Sequence, residues 1–300
     1  MTSLLRLNRP LMVFTAAMAL IAVLAAVGLL VDPRVLTGAP IWVKPFKFAV
    51  SLALYAGTLA WMLSLLPRRN RFAEWAATVI VAAAAAEMIV IVWQVLRGKT
   101  SHYNEATPFD AALWQVMSVS IMVLFVAHFV VGVAVLRARI SDRSAAHAVR
   151  WGLGLTLVGM LAALPMVTPV TSPDGTTIAG AHSVGVADGG PGLPLVGWST
   201  VAGDLRIGHF VGLHALQALP LLAMLLRRRF DEVTRVRLLA VAGVAYGLLT
   251  VLLTWQALRG QPLPQPDALT AAAFAVLAAG TGVATTMVLR ARRPELTLAA

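Results

Sequence analysis

Residues 11–31 have the sequence LMVFTAAMALIAVLAAVGLLV, and this uninterrupted run contains no charged side chain. A helix needs about 20 apolar residues to cross a hydrocarbon core roughly 30 Å thick, so the run is long enough to span a membrane. It follows Arg6 and Arg9 as a signal peptide would, but it is too long for a signal-peptide core and lacks a clear cleavage site. We therefore expect a retained first transmembrane helix.

The composition of the whole chain extends this conclusion. Of its 300 residues, 59% are hydrophobic and 12% are charged, whereas a soluble domain carries roughly a quarter charged residues. The net charge of +11 lies in short clusters between apolar runs, a pattern that orients membrane spans and does not indicate nucleic-acid binding. The absence of cysteine excludes disulfides, thiolate metal sites and cysteine nucleophiles.

Eight apolar runs are separated by polar or Gly- and Pro-rich breaks, which predicts an all-α polytopic membrane protein. The predicted spans are 10–31, 45–66, 74–97, 109–136, 148–169, 204–226, 237–258 and 268–289. Most of the 24 lysines and arginines fall in the breaks on one side, and basic residues accumulate on the cytoplasmic side of membranes. We predict a multi-pass protein of a bacterial-type inner (plasma) membrane with both termini cytoplasmic.

An internal repeat appears when the sequence is shifted by 162 residues. The shift places WQVLRG at 93–98 on WQALRG at 255–260, and it superposes the second predicted span on the sixth. We predict two tandem four-span repeats, residues 1–146 and 147–300, which are parallel because each contains an even number of spans. The second repeat carries a long Gly-rich outer loop at about 170–203, a length typical of a lid or a disordered segment.

Each WQxLRG block also has the pattern of a helix end at the membrane surface. The Trp would anchor at the interface, the Arg would face the helix C-terminus, and the Gly would supply a left-handed cap. This interpretation leaves Gln94 and Gln256 as candidate site residues.

Polar side chains inside the predicted spans are costly in hydrocarbon and therefore carry the functional information. Helical spacing places the following residues on one narrow stripe of the second span: Lys44, Lys47, Ser51, Tyr55 and Thr58. Counted from the outer span ends, Tyr55, Glu87 and His214 lie about 15 Å deep, near the midplane. We predict that Glu87 and His214 share a proton; the alternative is that each only hydrogen-bonds a neighbouring helix.

Basic and amide side chains gather above this level, at the outer ends of the spans. We predict that an anionic or polar solute binds there, through Lys44, Lys47, Arg206, His209, Gln94 and Gln256, with Tyr55 below. The alternative is that Asp204, Asp110 and Glu105 neutralise the cations as structural pairs.

Together these features predict a small-solute or ion transporter with an outward-open polar cavity, which could be proton-coupled. Its expected partners are the lipid bilayer and the solute; the sequence predicts no cofactor and leaves enzymatic activity and oligomeric state open. Two alternatives remain. One is a haem or quinone redox protein, with His209 and either His102 or His182 as haem ligands. The other is a metal-dependent hydrolase at the outer face, with zinc on His102, His182 and His209.

Overall fold

The structure is a computed structural model and describes residues 7–171, 177–178 and 180–291. In these ranges the chain forms eight long helices, each apolar enough to cross a membrane, which confirms the all-helical class and the eight predicted spans. The helices are α1 (Arg9–Val31), α2 (Val43–Ser64), α3 (Arg71–Leu96), α4 (Pro108–Arg137), α5 (Arg143–Leu161), α6 (Arg206–Leu226), α7 (Glu232–Leu258) and α8 (Ala268–Arg290).

The helix ends follow local side-chain chemistry. A side-chain oxygen accepts a first-turn backbone amide at the start of six helices, and these caps are Asn8, Asn70, Thr107, Asp142, Asp231 and Asp267. The helices α2 and α6 instead begin after Trp42 and Leu205, which supply no such bond. Gly98 and Gly260 end the two WQxLRG blocks with φ of 69° and 72°, which confirms the predicted left-handed caps.

The fifth span differs most from its prediction. It begins at Arg143, five residues earlier than expected, because the Asp142 carboxylate accepts the amide of Ala145 and caps the helix. Regular α-helix ends at Leu161 and continues as a 3₁₀ helix over Leu164–Val167. Pro165 lies in this segment, and proline disfavours α conformation in the residue before it.

The helices pack in two groups of four with the same internal arrangement. In the first group α1 packs on α2 and α3, and α3 packs on α2 and α4; in the second, α5 packs on α6 and α7, and α7 packs on α6 and α8. The groups meet where α4 contacts α5 and α2 contacts α6. This pairing is what two successive four-span units would give, although the repeat itself stays a prediction.

Short antiparallel strands join the helices at the end of the bundle where α2, α4, α6 and α8 begin, which we call the loop face. The pairs are Val35–Leu36 with Ala39–Pro40, Val170–Thr171 with Thr177–Ile178, and Ser183–Val184 with Gly203–Asp204. We call residues 180–204, most of the predicted Gly-rich loop, the cover. The cover touches the first connection at Gly38, where a Cβ atom would lie 2.6 Å from the carbonyl oxygen of Gly189.

A close backbone contact joins α5 to α6 through two glycines. A Cβ atom on Gly159 would lie 2.5 Å from the carbonyl carbon of Gly212, so neither position has space for a side chain. Because lipid provides no hydrophobic force between helices, close backbone approach through small residues is a main source of helix association in membranes. This contact fixes the height of α6 against its neighbour.

We expect Gly159→Ala to destabilise the protein by about 1–3 kcal/mol, because the added methyl group must push the two backbones apart. Reversible unfolding in mixed micelles, titrated with denaturing detergent, would measure the change. Gly154→Ala on the same helix is the matched control, since a Cβ atom there meets nothing within 4 Å. Equal stability of the two variants would show that the close contact is not required.

The predicted orientation can be tested with single cysteines, because the natural chain has none. Ala187→Cys lies in the exposed part of the cover and Arg228→Cys lies at the exposed opposite end of α6. If the basic clusters are cytoplasmic, a membrane-impermeant maleimide added to intact cells should label only the first variant. Labelling of only the second variant would reverse the topology.

Candidate functional site

Three cationic side chains come together at the loop face and form what we call the cationic cluster. Lys44 and Lys47 lie in the first turns of α2, and Arg206 opens α6. Lys44 interacts electrostatically with both of the others. Arg206 pairs with the buried carboxylate of Asp204. Within the described residues, no carboxylate lies within 4.0 Å of either lysine.

Main-chain oxygens of the cover bind two of these cations. The Nζ of Lys47 donates to the carbonyl oxygen of Val196 at 2.9 Å, and Nη2 of Arg206 donates to the carbonyl oxygen of Gly197 at 2.6 Å. The turn that presents them has Leu195 and Gly197 in the left-handed region, with φ of 67° and 66°. The cover therefore contacts the cationic cluster, whose three side chains remain partly exposed.

The third cation contacts a histidine from the loop between α3 and α4. The Nζ of Lys44 donates to Nδ1 of His102 at 3.0 Å, and the hydroxyl of Ser101 lies 3.1 Å from the same nitrogen. Burial lowers the pKa of His102 well below its ordinary value, and the charge of Lys44 lowers it further. A neutral His102 that accepts from Lys44 fits both observations.

Tyr103 was not singled out from the sequence, yet it lies at the centre of this region. Its ring is 4.8 Å from the Trp114 ring and 5.1 Å from the His182 ring, centroid to centroid. Its φ is 54°, a strained conformation for a bulky residue and one that is concentrated at functional sites. Gly180 makes room for it, because a Cβ atom there would lie 2.6 Å from the tyrosine ring. Burial raises the pKa of Tyr103, so the phenol stays protonated.

A histidine–carboxylate pair organises the cover above the cluster. The Nδ1–H of His182 donates to Asp188 at 2.6 Å, and the same carboxylate accepts the backbone amides of His182 and Ser183. Burial alone would raise the pKa of Asp188, but the hydrogen bond and charge of His182 lower it below its ordinary value. Asp188, too, was missed from the sequence, since the loop offers no periodicity to predict its partner.

The two glutamines predicted as solute ligands form hydrogen bonds within the connections that follow α3 and α7. The amide nitrogen of Gln94 donates to the buried Asp110 at 2.9 Å, and Arg97 donates to both of these side chains at 2.6 Å. The amide nitrogen of Gln256 donates to the carbonyl oxygen of Pro262 at 2.9 Å. These bonds hold the corners that follow α3 and α7, and the solute role of both glutamines stays untested.

Glu87 and His214, the predicted proton-sharing pair, have separate surroundings. Glu87 is 6% exposed, and its Oε1 has no hydrogen-bond partner among the described residues; its electrostatic neighbour is Lys44. The Nδ1 of His214 lies 3.2 Å from the side-chain oxygen of Gln217, and its ring packs on Phe210. The structure does not bring Glu87 and His214 into a hydrogen bond, and proton sharing between them stays a prediction.

Tyr55 and His209 make contacts between helices. The hydroxyl of Tyr55 donates to Nδ1 of His128 at 2.8 Å, and Nε2 of His128 lies 3.3 Å from the carbonyl oxygen of Leu153, which links α2, α4 and α5. The Nδ1–H of His209 donates to the carbonyl oxygen of Gly159 at 2.8 Å. Their predicted role in solute binding is not tested by these contacts.

Metal ligation was a second possibility for the histidines. Across the part of the chain that the structure describes, no group of three or more His, Asp or Glu side chains could hold a metal ion. The zinc and haem alternatives on His102, His182 and His209 therefore rest on sequence alone.

Comparison of the chain with protein-family models, with curated proteins and with solved structures found no match. A proposal about its function therefore depends on the geometry of the site.

The bond between Lys47 and the cover yields a direct prediction. We expect Lys47→Gln to speed hydrogen exchange at the backbone amide of Gly197, which donates to the carbonyl of Leu193 inside the turn. A hydrogen bond to a charged group contributes about 1.5–3 kcal/mol, so exchange should rise roughly 10- to 100-fold. The exposed Lys99 supplies the control variant Lys99→Gln. Unchanged exchange in Lys47→Gln would show that the lysine does not hold the turn.

Proposed function

We propose that this integral membrane protein transports a small anionic solute and binds it at the cationic cluster. The observation that carries the proposal is that, within the described residues, no carboxylate lies within 4.0 Å of Lys44 or Lys47, although Glu87 acts on Lys44 electrostatically from farther away. Their charges are met by an imidazole nitrogen and a main-chain oxygen, which are neutral acceptors. An anion would satisfy the same donors more strongly, because charge-assisted hydrogen bonds are roughly twice as strong as neutral ones.

The helix directions add to this positive field. Both α2 and α6 begin at the loop face, and the N-terminus of a helix carries a partial positive charge. Neither helix has a cap from its preceding residue, although Asp204 accepts the amide of Arg206. A cation at a helix N-terminus is repelled by the positive end of the helix dipole. An anion bound between these cations would therefore lower the electrostatic energy of the cluster.

Transport requires that solute reach the site, and the turn of the cover at 195–197 is the element we propose to move. This turn accepts hydrogen bonds from Lys47 and Arg206, and an anion would compete for both donors. Release of the turn would admit solute from the loop side. Rocking of residues 1–146 against 147–300 would then expose the site to the opposite side, through the interface where Gln217 of α6 donates to Thr58 of α2.

Glu87 is the proposed carrier of the coupled proton. A lone buried carboxylate is disfavoured in its ionised form, and protonation removes that cost. Lys44 is its electrostatic neighbour, so a solute that engages Lys44 alters the field at Glu87. In this proposal the proton on Glu87 is coupled to Lys44, whereas the sequence predicted that Glu87 shares it with His214.

Anion binding by detergent-purified protein tests the proposal. Calorimetric titration with formate, chloride, sulfate and phosphate should give saturable binding of at least one, and Lys44→Gln should weaken its affinity about tenfold or more, because a charge-assisted bond is lost. Lys99→Gln, an exposed lysine at the same face, should bind normally.

The same anion should cross the membrane of proteoliposomes that contain the wild-type protein, and its flux should fall in Lys44→Gln. Absence of saturable binding of all four anions would contradict the binding site. Binding without flux would contradict transport.

A further inference from the structure

We propose that His182 of the cover binds a proton together with the anion, so that the two ligands enter the cationic cluster as a pair. This inference rests on the proposed function and names the partner ligand of the same site. It places a protonation site outside the membrane-spanning helices, at a residue considered until now only as a metal or haem ligand.

The hydrogen bonds of His182 leave one nitrogen for the proton. Its Nδ1–H donates to Asp188 at 2.6 Å, which fixes the neutral tautomer with the lone pair on Nε2. No described residue forms a hydrogen bond with Nε2. The side chain is 22% exposed, so it is within reach of solvent while it packs on the Tyr103 ring.

The charged and titratable groups around His182 come from every neighbouring element. Asp188 faces it from the cover itself, and the remainder are Tyr103 and His102 from the α3–α4 loop, Lys44 from α2, and Arg206 and His209 from α6. Two of these, Lys44 and Arg206, are basic, and Asp188 is the carboxylate that faces the imidazole. A proton on Nε2 therefore adds a positive charge beside Arg206, which is paired with Asp204, and beside Lys44, which has no carboxylate within 4.0 Å among the described residues.

Burial lowers the pKa of His182, and Lys44 and Arg206 lower it further, while the hydrogen bond to Asp188 opposes them; the balance lies below the ordinary value. With the cluster empty, His182 is thus neutral at neutral pH. An anion beside Lys44 and Arg206 offsets their repulsion and raises the pKa of His182. By linkage, protonation of His182 must tighten anion binding by the same factor.

Anion affinity should rise as the pH falls through the range in which His182 gains its proton, and it should be lowest where His182 is neutral. A monovalent anion that enters with one proton carries no net charge. Transport of the pair would therefore be electroneutral for any monovalent anion and would follow a proton gradient directed inward from the loop side.

The test uses anions whose own charge is constant over the range examined. The affinity of whichever of formate, chloride or sulfate binds the purified wild-type protein should be measured between about pH 5 and pH 8. We expect affinity about tenfold higher at the acid end, the factor that corresponds to a change of one unit in the pKa of His182. Anion addition at low buffer strength should also draw protons from solution, up to one per anion bound.

Two variants of the pair give distinct expected results. His182→Gln should flatten the pH dependence and abolish proton uptake. Asp188→Asn removes the charge that favours the imidazolium, so its transition should move to lower pH. His147→Gln is the matched control, because His147 lies on α5 at the opposite end of the bundle, where its Nδ1–H donates to the carbonyl of Arg143.

The outcomes separate this inference from the proposed function. Absence of anion binding at every pH contradicts the proposed function. Binding that is independent of pH in the wild type, or a pH dependence that persists in His182→Gln, overturns the role of His182 alone. If His182→Gln does not fold, the direction of the shift in Asp188→Asn and the protons taken up by the wild type decide the matter.

Discussion

The close contact of Gly159 with Gly212 is the constraint on which the site geometry depends. It draws α5 and α6 together to backbone distance, and α6 carries Arg206 and His209 on the turns above Gly212. On the other side, Gly208 lies against Thr254 of α7. Side chains larger than hydrogen at either glycine would lift α6 away from its neighbours, and Arg206 would move with it. A loop-face site made from two helices requires that both be fixed in this way.

The second organising principle is incomplete compensation of charge. Arg97 and Arg259 both pair with carboxylates, Asp110 and Asp267, and these pairs close the corners after α3 and α7. The lysines of α2 have neutral partners instead. The two kinds of cation lie at the same face, so the contrast cannot come from a general shortage of acidic residues there. Arginine–carboxylate pairs thus close the corners, and the lysines of the cluster are the cations that the proposed function assigns to an anion.

The sequence predicted what depends on local spacing. Apolar run lengths predicted eight helices, and the helical repeat placed Lys44 and Lys47 on one stripe, because both follow from the rise and twist of a single helix. The rotation of one helix relative to another depends on packing, which spacing does not reveal. Helical rise predicted the depth of Tyr55, Glu87 and His214 but not their partners. In the structure Tyr55 contacts His128, and His214 contacts Gln217.

The loops carried information of another kind. Tyr103 and Asp188 are central to the candidate site, but their partners lie far away in the chain or within a segment without regular spacing. The cluster of Ser, His, Tyr and Asn at 101–104 and the isolated Gly180 were the signals available. The sequence does not show that Gly180 packs against the Tyr103 ring, and the structure does.

The cover meets the cationic cluster through peptide oxygens, and this has an evolutionary consequence. Val196 and Gly197 present groups that every residue possesses, so substitution at Val196 can alter the turn's shape but cannot delete an acceptor. We therefore expect the side chain at Val196 to vary among related sequences as long as the backbone conformation of the turn is kept. At the proposed site, the turn at 195–197 would therefore contribute main-chain acceptors alone, and side chains elsewhere in the site would distinguish one solute from another.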